Sequence, residues 1–300
     1  MKLIYLGLPL GALMLYREGH DLAAACISRP SMPGMRRLRQ IMSTLNAPLL
    51  GRPDLTQPAV QALLASTDAD LVVSWFWTRR IPATMVALAP RGGVNVHPSL
   101  LPRHRGADPY FWTLALGDAE TGVTAHRITA RYDEGDILLQ RKMAVPPDVN
   151  AGKLARLLDR PSLEVLRDVV DLIERGEETA IPQDTSLATQ APKPTDEDCE
   201  LIWDLPVDAV LRTIRAASPD PGAFTGFGDD TLVILKARKA EKVPRGLEPG
   251  DVALTPEGVL IACRGGEGIV VLEAAREGEE RTRQGRDVAA LIPGIGVVSL

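Results

Sequence analysis

Strands and helices alternate along the first 145 residues, and this order constrains the fold more than any other feature of the sequence. The segments 70–75 and 93–96 are near-continuous apolar runs, which are typical of strands buried on both faces of a sheet. Further strands and helices are predicted at 3–6, 22–27, 35–45, 57–66, 122–128, 136–145 and 151–175. Strands that alternate with helices indicate a Rossmann-like α/β fold with a doubly wound, mostly parallel sheet.

Two polar residues, Asn95 and His97, lie at the end of the predicted strand 93–96. Because side chains alternate along a strand, they share one face, while the valines before and between them point into the core. Pro98 ends the strand because it has no N–H for the ladder. Ligands bind at the carboxyl ends of strands in open α/β sheets, so an amide and an imidazole are predicted side by side in a site. Asp133 is the candidate carboxylate for an acid/base group there.

The composition changes at 186–197, a polar stretch with two prolines that is typical of a linker between domains. We therefore predict a catalytic domain at 1–185, a linker at 186–197 and a second domain at 198–300. A helix and short strands are predicted in the second domain at 207–217, 232–235, 250–254, 259–263 and 269–272. Short strands separated by proline and glycine turns favour a small OB-like β-barrel.

The composition, 45% hydrophobic and 24% charged residues, is typical of a globular protein. The net charge of −5 gives no indication of a protein that binds nucleic acid or an anionic membrane. Cys26, Cys199 and Cys263 are odd in number and widely spaced, which disfavours a disulfide framework and a zinc site. A cytoplasmic location is predicted, without a membrane span.

The apolar run 3–16 after Lys2 is similar to a signal peptide, but glycines and a proline interrupt it and charged residues follow it. We therefore predict a strand followed by a turn. Motifs for dinucleotides, nucleoside triphosphates and serine nucleophiles are absent from the sequence. No metal is predicted, because His97, His104 and His126 match no ligand spacing and arginines flank the middle histidine.

Three segments resemble the core of the 10-formyltetrahydrofolate-dependent formyltransferases. They are Asn-Val-His-Pro-Ser-Leu-Leu-Pro-Arg-His-Arg-Gly-Ala at 95–107, Gly-Asp and Thr-Gly-Val-Thr within 117–124, and Asp-Glu-Gly-Asp-Ile-Leu-Leu-Gln at 133–140. The resemblance continues through 182–184 and 202–203. The run 219–225 is similar to the C-terminal domain of methionyl-tRNA formyltransferase.

The resemblance implies that Asn95, His97 and Asp133 are catalytic and that 10-formyltetrahydrofolate is the formyl donor. Formyl transfer to an amine develops negative charge on an oxygen. The Asn95 amide and a protonated His97 are predicted to donate hydrogen bonds to it, each worth on the order of 3 kcal/mol. Asp133, directly or through water, is predicted to take the proton that the amine loses.

The resemblance also implies where the ligands lie. The residues assigned to the folate are Trp75, Phe76, Trp77, Ile81, Arg131, Tyr132, Glu134, Gly135 and Asp136. The residues assigned to the acceptor are Ser99, Leu100, Arg105 and Gly106. The aromatic segment 75–77 is equally compatible with buried packing.

The identity of the acceptor is predicted from the positions at which this sequence differs from methionyl-tRNA formyltransferase, the enzyme of translation. The stretch 29–39 is basic but shorter than the corresponding loop of that enzyme. Residues 201–300 contain 12 Lys and Arg against 15 Asp and Glu, and this net charge of −3 disfavours contacts with a phosphate backbone. The stretch 124–128 is similar to the formyltransferase domain that acts on UDP-4-amino-4-deoxy-L-arabinose. Arg103, Arg105 and Arg127 are candidates to pair with an anionic acceptor. The favoured prediction is a small-molecule amine acceptor, either a nucleotide amino sugar or a specialised-metabolite amine.

Three alternatives remain open. The first is formylation of initiator methionyl-tRNA, with tRNA as the partner. The second is hydrolysis of 10-formyltetrahydrofolate, disfavoured because dedicated hydrolases carry an N-terminal regulatory domain and this sequence starts at its first strand. The third is a non-catalytic folate-binding module, which would have no need of Asn95, His97 and Asp133 together.

Overall fold

A computed structural model describes residues 1–227, 230–279 and 281–292, and the chain divides into two units. The first unit comprises Met1–Pro109, Glu120–Ala144 and Leu157–Pro192. The second comprises Tyr110–Ala119, Val145–Arg156 and the described part of Lys193–Leu300. The predicted domains 1–185 and 198–300 and the linker 186–197 stay predictions, and residues 228, 229, 280 and 293–300 of the second lie outside the described residues.

Seven strands form the sheet of the first unit in the order β3-β2-β1-β4-β5-β6-β7. They are β1 (Lys2–Gly7), β2 (Asp21–Ile27), β3 (Leu49–Gly51), β4 (Leu71–Trp75), β5 (Gly93–His97), β6 (Glu120–Arg127) and β7 (Ile137–Ala144). Strands β1 to β5 pair in parallel, whereas β5–β6 and β6–β7 pair antiparallel. The predicted Rossmann-like, mostly parallel sheet is confirmed.

Helices lie between several of these strands along the chain. Among the described residues, the α-helices are α1 (Pro9–Arg17), α2 (Met35–Thr44), α3 (Pro58–Ala65), α4 (Ala83–Val86), α5 (Pro109–Ala115), α6 (Ala151–Arg175), α7 (Asp196–Cys199) and α8 (Val207–Ala217). All five residues of β4 are buried, as expected of a strand in the middle of a parallel sheet. On one face, Val72 packs in a cluster with Leu64 of α3 and Met85 of α4.

The run 3–16 forms β1 and α1 rather than a strand followed by a turn. Pro9 is the first residue of α1, where its missing N–H costs no hydrogen bond because the first turn leaves such groups unpaired in any case. Gly11 is buried inside the helix, and the position requires glycine because a side chain there would overlap Tyr5 and Trp75. Proline and glycine thus begin and pack this helix, so interpreting them as a turn was wrong.

In the described part of the second unit, six antiparallel strands form one sheet. They are β8 (Ala223–Phe227), β9 (Asp230–Lys239), β10 (Val252–Thr255), β11 (Gly258–Cys263), β12 (Glu267–Arg276) and β13 (Arg283–Gln284). The order is β10-β11-β12-β9-β8, with β13 paired to β12. Within the residues that the structure describes, β10 and β8 do not pair, so the predicted barrel is not confirmed. In the same described residues, no helix combines the length and apolar character needed to cross a membrane.

Candidate functional site

The carboxyl end of β5 carries Asn95 and His97 on one face of the sheet. Asn95 is in register with Ser74 of β4 and with His126 of β6. Because register partners point to the same face, Ser74, Asn95 and His126 form a polar row across three strands. This is the face on which α3 and α4 lie, since Ser74 and Val72 are two residues apart on β4.

The loop between β6 and β7 brings Asp133 to this row. Asp133 Oδ2 lies 3.6 Å from His97 Nδ1, and Asp133 Oδ1 lies 3.3 Å from His126 Nε2. The Asn95 amide nitrogen lies 3.1 Å from His126 Nε2. The structure therefore brings together the three predicted catalytic residues and adds a histidine that links two of them. We call Asn95, His97, His126 and Asp133 the histidine–aspartate cluster.

His97 is 5% exposed and its ring orientation is defined by a backbone group. Its Nε2 lies 2.8 Å from the carbonyl oxygen of His104, which can only accept, so Nε2 carries the proton. Burial lowers the pKa of His97, although the charge of Asp133 opposes that effect. Nδ1, the other ring nitrogen, faces the Asp133 carboxylate.

Asp133 is an ionised carboxylate held by several donors. Burial by itself would raise its pKa, but His97, a hydrogen bond from His126 and the backbone N–H of Gly106 together lower that pKa to about 2. The Gly106 N–H donates to Oδ2 over 3.0 Å. Asp133 has φ of 55°, a conformation that non-glycine residues seldom adopt and that is often found at functional sites.

Gln183 and Arg105 hold the backbone of the loop that carries Asp133. The Gln183 amide nitrogen donates to the carbonyl oxygens of Asp133 and Gly135, at 2.8 and 2.7 Å. Arg105, only 4% exposed, donates to the Gln183 side-chain oxygen from two nitrogens at 3.1 and 2.7 Å. Its third nitrogen lies 3.7 Å from Glu134. The structure therefore places Arg105, assigned to the acceptor from the sequence, behind the Asp133 loop.

The other residues assigned to the acceptor lie in the segment after β5. Ser99 is fully buried, and its hydroxyl donates to the carbonyl oxygen of Arg103 over 2.8 Å. Leu100 is half-buried and lies against Gly122. Gly106 has φ of 130°, and a side chain at this position would overlap the carbonyl oxygen of Ala191. The acceptor roles of these residues stay predictions.

Thr124 and Gln140 support the same segment. The Thr124 hydroxyl donates to the carbonyl oxygen of Ser99 over 2.6 Å and accepts from the Leu101 N–H over 3.1 Å. Gln140 donates to Thr124 and to the carbonyl oxygen of Leu101. Together they determine where the backbone after His97 turns.

Residues 74–81, which we call the β4 end, include four residues assigned to the folate. Trp75 is buried, and its indole nitrogen donates to Ser162 of α6 over 3.0 Å. Phe76 has φ of 56°, and its ring meets that of Trp75 edge-on, with 4.8 Å between centroids. Trp77 and Ile81 are half-buried against the cluster that contains Val72. The register places this segment beside Asn95.

The remaining residues assigned to the folate lie in the Asp133 loop. Arg131 is exposed and lies 3.5 Å from Glu134, and Tyr132 is 61% exposed. Gly135 is buried where a side chain would overlap the carbonyl oxygen of Arg127, and the carbonyl oxygen of Asp136 accepts from the Arg127 N–H. The structure thus brings one part of the loop to the cluster and leaves Arg131 and Tyr132 open to solvent.

Sequence reasoning missed four polar residues of the site: His126, Thr124, Gln140 and Gln183. The first two lie two residues apart on a predicted strand, so alternation places them on one face. Their position opposite Asn95 and His97 depends on the register of β5 with β6, which no local pattern contains. Gln183 is separated from Asp133 by 50 positions, and only the folded chain brings them together.

Comparisons with known proteins identify the family. Residues 26–170 match the model for the formyl transferase family, and residues 193–289 match the model for its C-terminal domain. The methionyl-tRNA formyltransferase of Syntrophus aciditrophicus is 34% identical, over 91% of this chain and 90% of that protein. The methionyl-tRNA formyltransferase of Anaeromyxobacter dehalogenans strain 2CP-1 is 35% identical, over 93% of both chains.

A solved structure agrees on the fold. HypX from Aquifex aeolicus, crystallised in complex with tetrahydrofolic acid, superposes with a TM-score of 0.67 at 19% identity. The match covers 100% of this chain, which spans about half, 49%, of the length of HypX. At this identity the likeness is one of fold.

These relatives overturn the acceptor predicted from the sequence. A small-molecule amine was favoured because residues 201–300 are acidic in sum and the basic loop is short. The relatives, however, match more than nine-tenths of the chain and are named methionyl-tRNA formyltransferases. That prediction was wrong, because net charge is an average that leaves the local distribution of charge undetermined. The predicted formyltransferase activity is confirmed, and the chain belongs to the formyl transferase family.

Proposed function

We propose that this protein is a methionyl-tRNA formyltransferase, which moves a formyl group from 10-formyltetrahydrofolate to the α-amino group of initiator methionyl-tRNA. The observation that carries the proposal is the similarity to methionyl-tRNA formyltransferases at 34 and 35% identity over more than nine-tenths of the chain. The similarity extends through the second domain as well as the domain that holds the histidine–aspartate cluster.

The cluster supports formyl transfer through the positions of its hydrogen-bonding groups. The folate supplies the formyl group from its N10 atom. The Asn95 amide donates to the formyl oxygen as negative charge develops there. The acceptor amine loses one proton, and the ionised Asp133 carboxylate, 3.6 Å from His97 Nδ1, takes it directly or through water. The bond from the formyl carbon to N10 breaks, and N10 gains a proton in its place.

The β4 end has the polar groups that a folate requires. Ser74 Oγ and Trp77 Nε1 are buried and have no hydrogen-bond partner among the residues that the structure describes. Buried donors without partners are costly, and a heterocycle with several acceptor atoms would satisfy them. We therefore propose that the folate lies against Trp75–Ile81 and the Asp133 loop, as the resemblance implies.

A basic surface suited to tRNA lies on α2. Arg36, Arg37 and Arg39 are exposed, and within the described residues none of them forms an ion pair. Phosphate contacts by arginine are independent of sequence and weaken with salt. We propose that these residues contact the tRNA backbone.

The test is formylation of initiator methionyl-tRNA in the presence of 10-formyltetrahydrofolate. We expect turnover on the order of 1 s⁻¹ or faster. Uncharged tRNA and an acceptor-free sample are the controls. Release of tetrahydrofolate at the same rate without methionyl-tRNA would contradict the proposal and indicate a hydrolase.

Charge reversal of Arg36, Arg37 and Arg39 to glutamate tests the tRNA surface. The KM for methionyl-tRNA should rise about tenfold or more, with a smaller dependence of KM on salt, while the KM for the folate is unchanged. The matched control reverses Arg238 and Lys239, which form ion pairs within the second unit. Equal increases in the KM for methionyl-tRNA in the two variants would contradict a contact between α2 and the tRNA.

A further inference from the structure

We propose that His20, Asp171 and Glu174 form a binding site for a divalent transition-metal ion of the Zn²⁺ class. We call these three residues the His20 site. A buried imidazole without hydrogen-bond partners and two carboxylates beside it carry the inference. The proposal does not depend on the proposed function, because it concerns a different part of the first unit.

The His20 site lies at the amino ends of the parallel strands, opposite the reacting groups. His20 immediately precedes β2, whereas Asn95 and His97 are at the end of β5. Strands β2 and β5 belong to the parallel part of one sheet, so the start of one and the end of the other lie on opposite sides of that sheet. The site is therefore separate from the histidine–aspartate cluster.

The His20 side chain is buried without a hydrogen bond. Its exposed fraction is 3%, and neither ring nitrogen has a hydrogen-bond partner in the part of the chain that the structure describes. Nε2 lies 3.4 Å from Asp171 Oδ1, and Nδ1 lies 3.7 Å from Glu174 Oε2. Buried polar groups are nearly always satisfied, so an imidazole in this state points to a group that binds it.

Helix α6 brings the two carboxylates to this ring. Asp171 and Glu174 are three positions apart and therefore lie on the same face of the helix. Like charges at this spacing repel each other, which destabilises the helix in the absence of a cation. An ion between the two carboxylates and the ring would remove this repulsion and satisfy a ring nitrogen at the same time.

Neighbouring cations leave much of this negative charge uncompensated. Arg167 and Arg175, on the same helix, form ion pairs with other carboxylates. The amino group of Met1 lies 2.7 Å from Glu174 Oε1, and Oε2 is the oxygen that faces His20. Asp171 forms no ion pair with a lysine or arginine within the described ranges. The carboxylate nearest to His20 Nε2 is thus available to an ion.

The three side chains are close enough to bind one ion. One ring nitrogen and one oxygen from each carboxylate lie within 4.8 Å of one another. Ligands of one Zn²⁺ are at most about 4 Å apart, since each bond is about 2.0–2.2 Å long. The two carboxylate side chains are 37 and 45% exposed, and rotation about their bonds closes the remaining distance. The second ring nitrogen keeps its proton and faces a carboxylate, an arrangement that orients metal-binding histidines.

The types of ligand determine the class of ion. Imidazole nitrogen together with carboxylate oxygen suits Zn²⁺ and similar transition metals, whereas Mg²⁺ and Ca²⁺ prefer oxygen ligands alone. Water completes the coordination on the exposed side. Because the ion would join the start of β2 to α6, it should stabilise the folded protein.

Calorimetric titration of the chelator-treated protein with Zn²⁺ tests the site. We expect saturable binding with a Kd below about 0.1 mM and a higher melting temperature with Zn²⁺ than without it. Asp171→Asn should weaken this binding about tenfold or more, because it removes a ligand and keeps the shape of the side chain. Asp168→Asn is the matched control, since Asp168 is on the same helix but pairs with Arg141 and Arg167, and it should leave the Kd unchanged. No saturable binding, or equal binding by Asp171→Asn and the wild type, would overturn the proposal.

Paramagnetic Co²⁺ in place of Zn²⁺ identifies the histidine that binds the ion. NMR of the wild type should show the His20 ring signals shifted or broadened by Co²⁺ at equimolar concentration, while those of His97 stay unchanged. This measurement avoids a substitution of the buried ring, which could prevent folding. Effects on His97 without effects on His20 would place the ion in the histidine–aspartate cluster and overturn the proposal. Neither experiment includes folate or tRNA, so a failure to formylate methionyl-tRNA would contradict the proposed function alone.

Discussion

Two neighbouring parts of the first unit differ in how their buried polar groups are satisfied. In the histidine–aspartate cluster, Asn95, His97, His126 and Asp133 contact one another or the backbone. At the β4 end, one strand away, Ser74 Oγ and Trp77 Nε1 are buried without a partner among the described residues. The protein itself therefore orders the cluster, whereas the two polar groups at the β4 end are open to a ligand or to water.

This contrast predicts that substitutions in the cluster affect kcat and that substitutions at the β4 end affect binding. A group ordered in advance lowers the barrier of the chemical step, because no reorganisation is needed when charge develops. A donor that is satisfied only in the complex with a ligand contributes to the affinity for that ligand and not to the barrier of the chemical step. The predictions below run from the largest expected effect to the smallest.

Asp133→Asn should lower kcat at least about a hundredfold, because it removes a proton acceptor from the transition state while keeping the shape of the side chain. Steady-state formylation kinetics measure the effect, and circular dichroism checks that the variant folds. If the variant retains more than a tenth of wild-type kcat, Asp133 is not the proton acceptor of the reaction.

Gln183→Ala should lower kcat about tenfold, since it removes the donor to the carbonyl oxygens of Asp133 and Gly135 and leaves Arg105 without its main acceptor. The Asp133 loop would then lose its position although Asp133 is unchanged. A loss that appears in the KM for methionyl-tRNA instead would indicate contact with the acceptor.

Asp133 should also make stability depend on pH. Its pKa is about 2 in the folded protein against the ordinary 3.8, so its carboxylate stabilises the folded state above pH 4 and this contribution disappears as the pH falls through 2. The free energy of unfolding should lose about 2 kcal/mol from this group over that interval. Urea titrations of the wild type and Asp133→Asn measure it, and identical pH dependence would contradict the assignment.

Ser74→Ala should have the smallest effect of the four, and it should stabilise the folded protein. Removing a buried hydroxyl without a partner should raise the free energy of unfolding by about 1 kcal/mol. If the hydroxyl faces the folate, the gain in melting temperature on adding tetrahydrofolate should be smaller in this variant than in the wild type. An equal gain in both proteins would mean that the β4 end differs from the cluster in packing only.

Much of this architecture follows from local patterns. The apolar runs predicted β4 and β5 because a strand inside a parallel sheet is buried on both faces. Alternation placed Asn95 and His97 on one face. The helix α1 was missed because Pro9 and Gly11 usually interrupt a helix, and only burial against Tyr5 and Trp75 shows why they are accommodated.

The sequence by itself determined the alternation of the main strands and helices, the family and the position of the amide–imidazole pair, since each is a property of consecutive residues. The tertiary structure alone decided that His126 lies against both Asn95 and Asp133, and that Gln183 holds the loop of Asp133. Those contacts depend on strand register and on loops that meet across long separations in the chain. Local patterns do not contain either, because both result from the packing of the whole sheet.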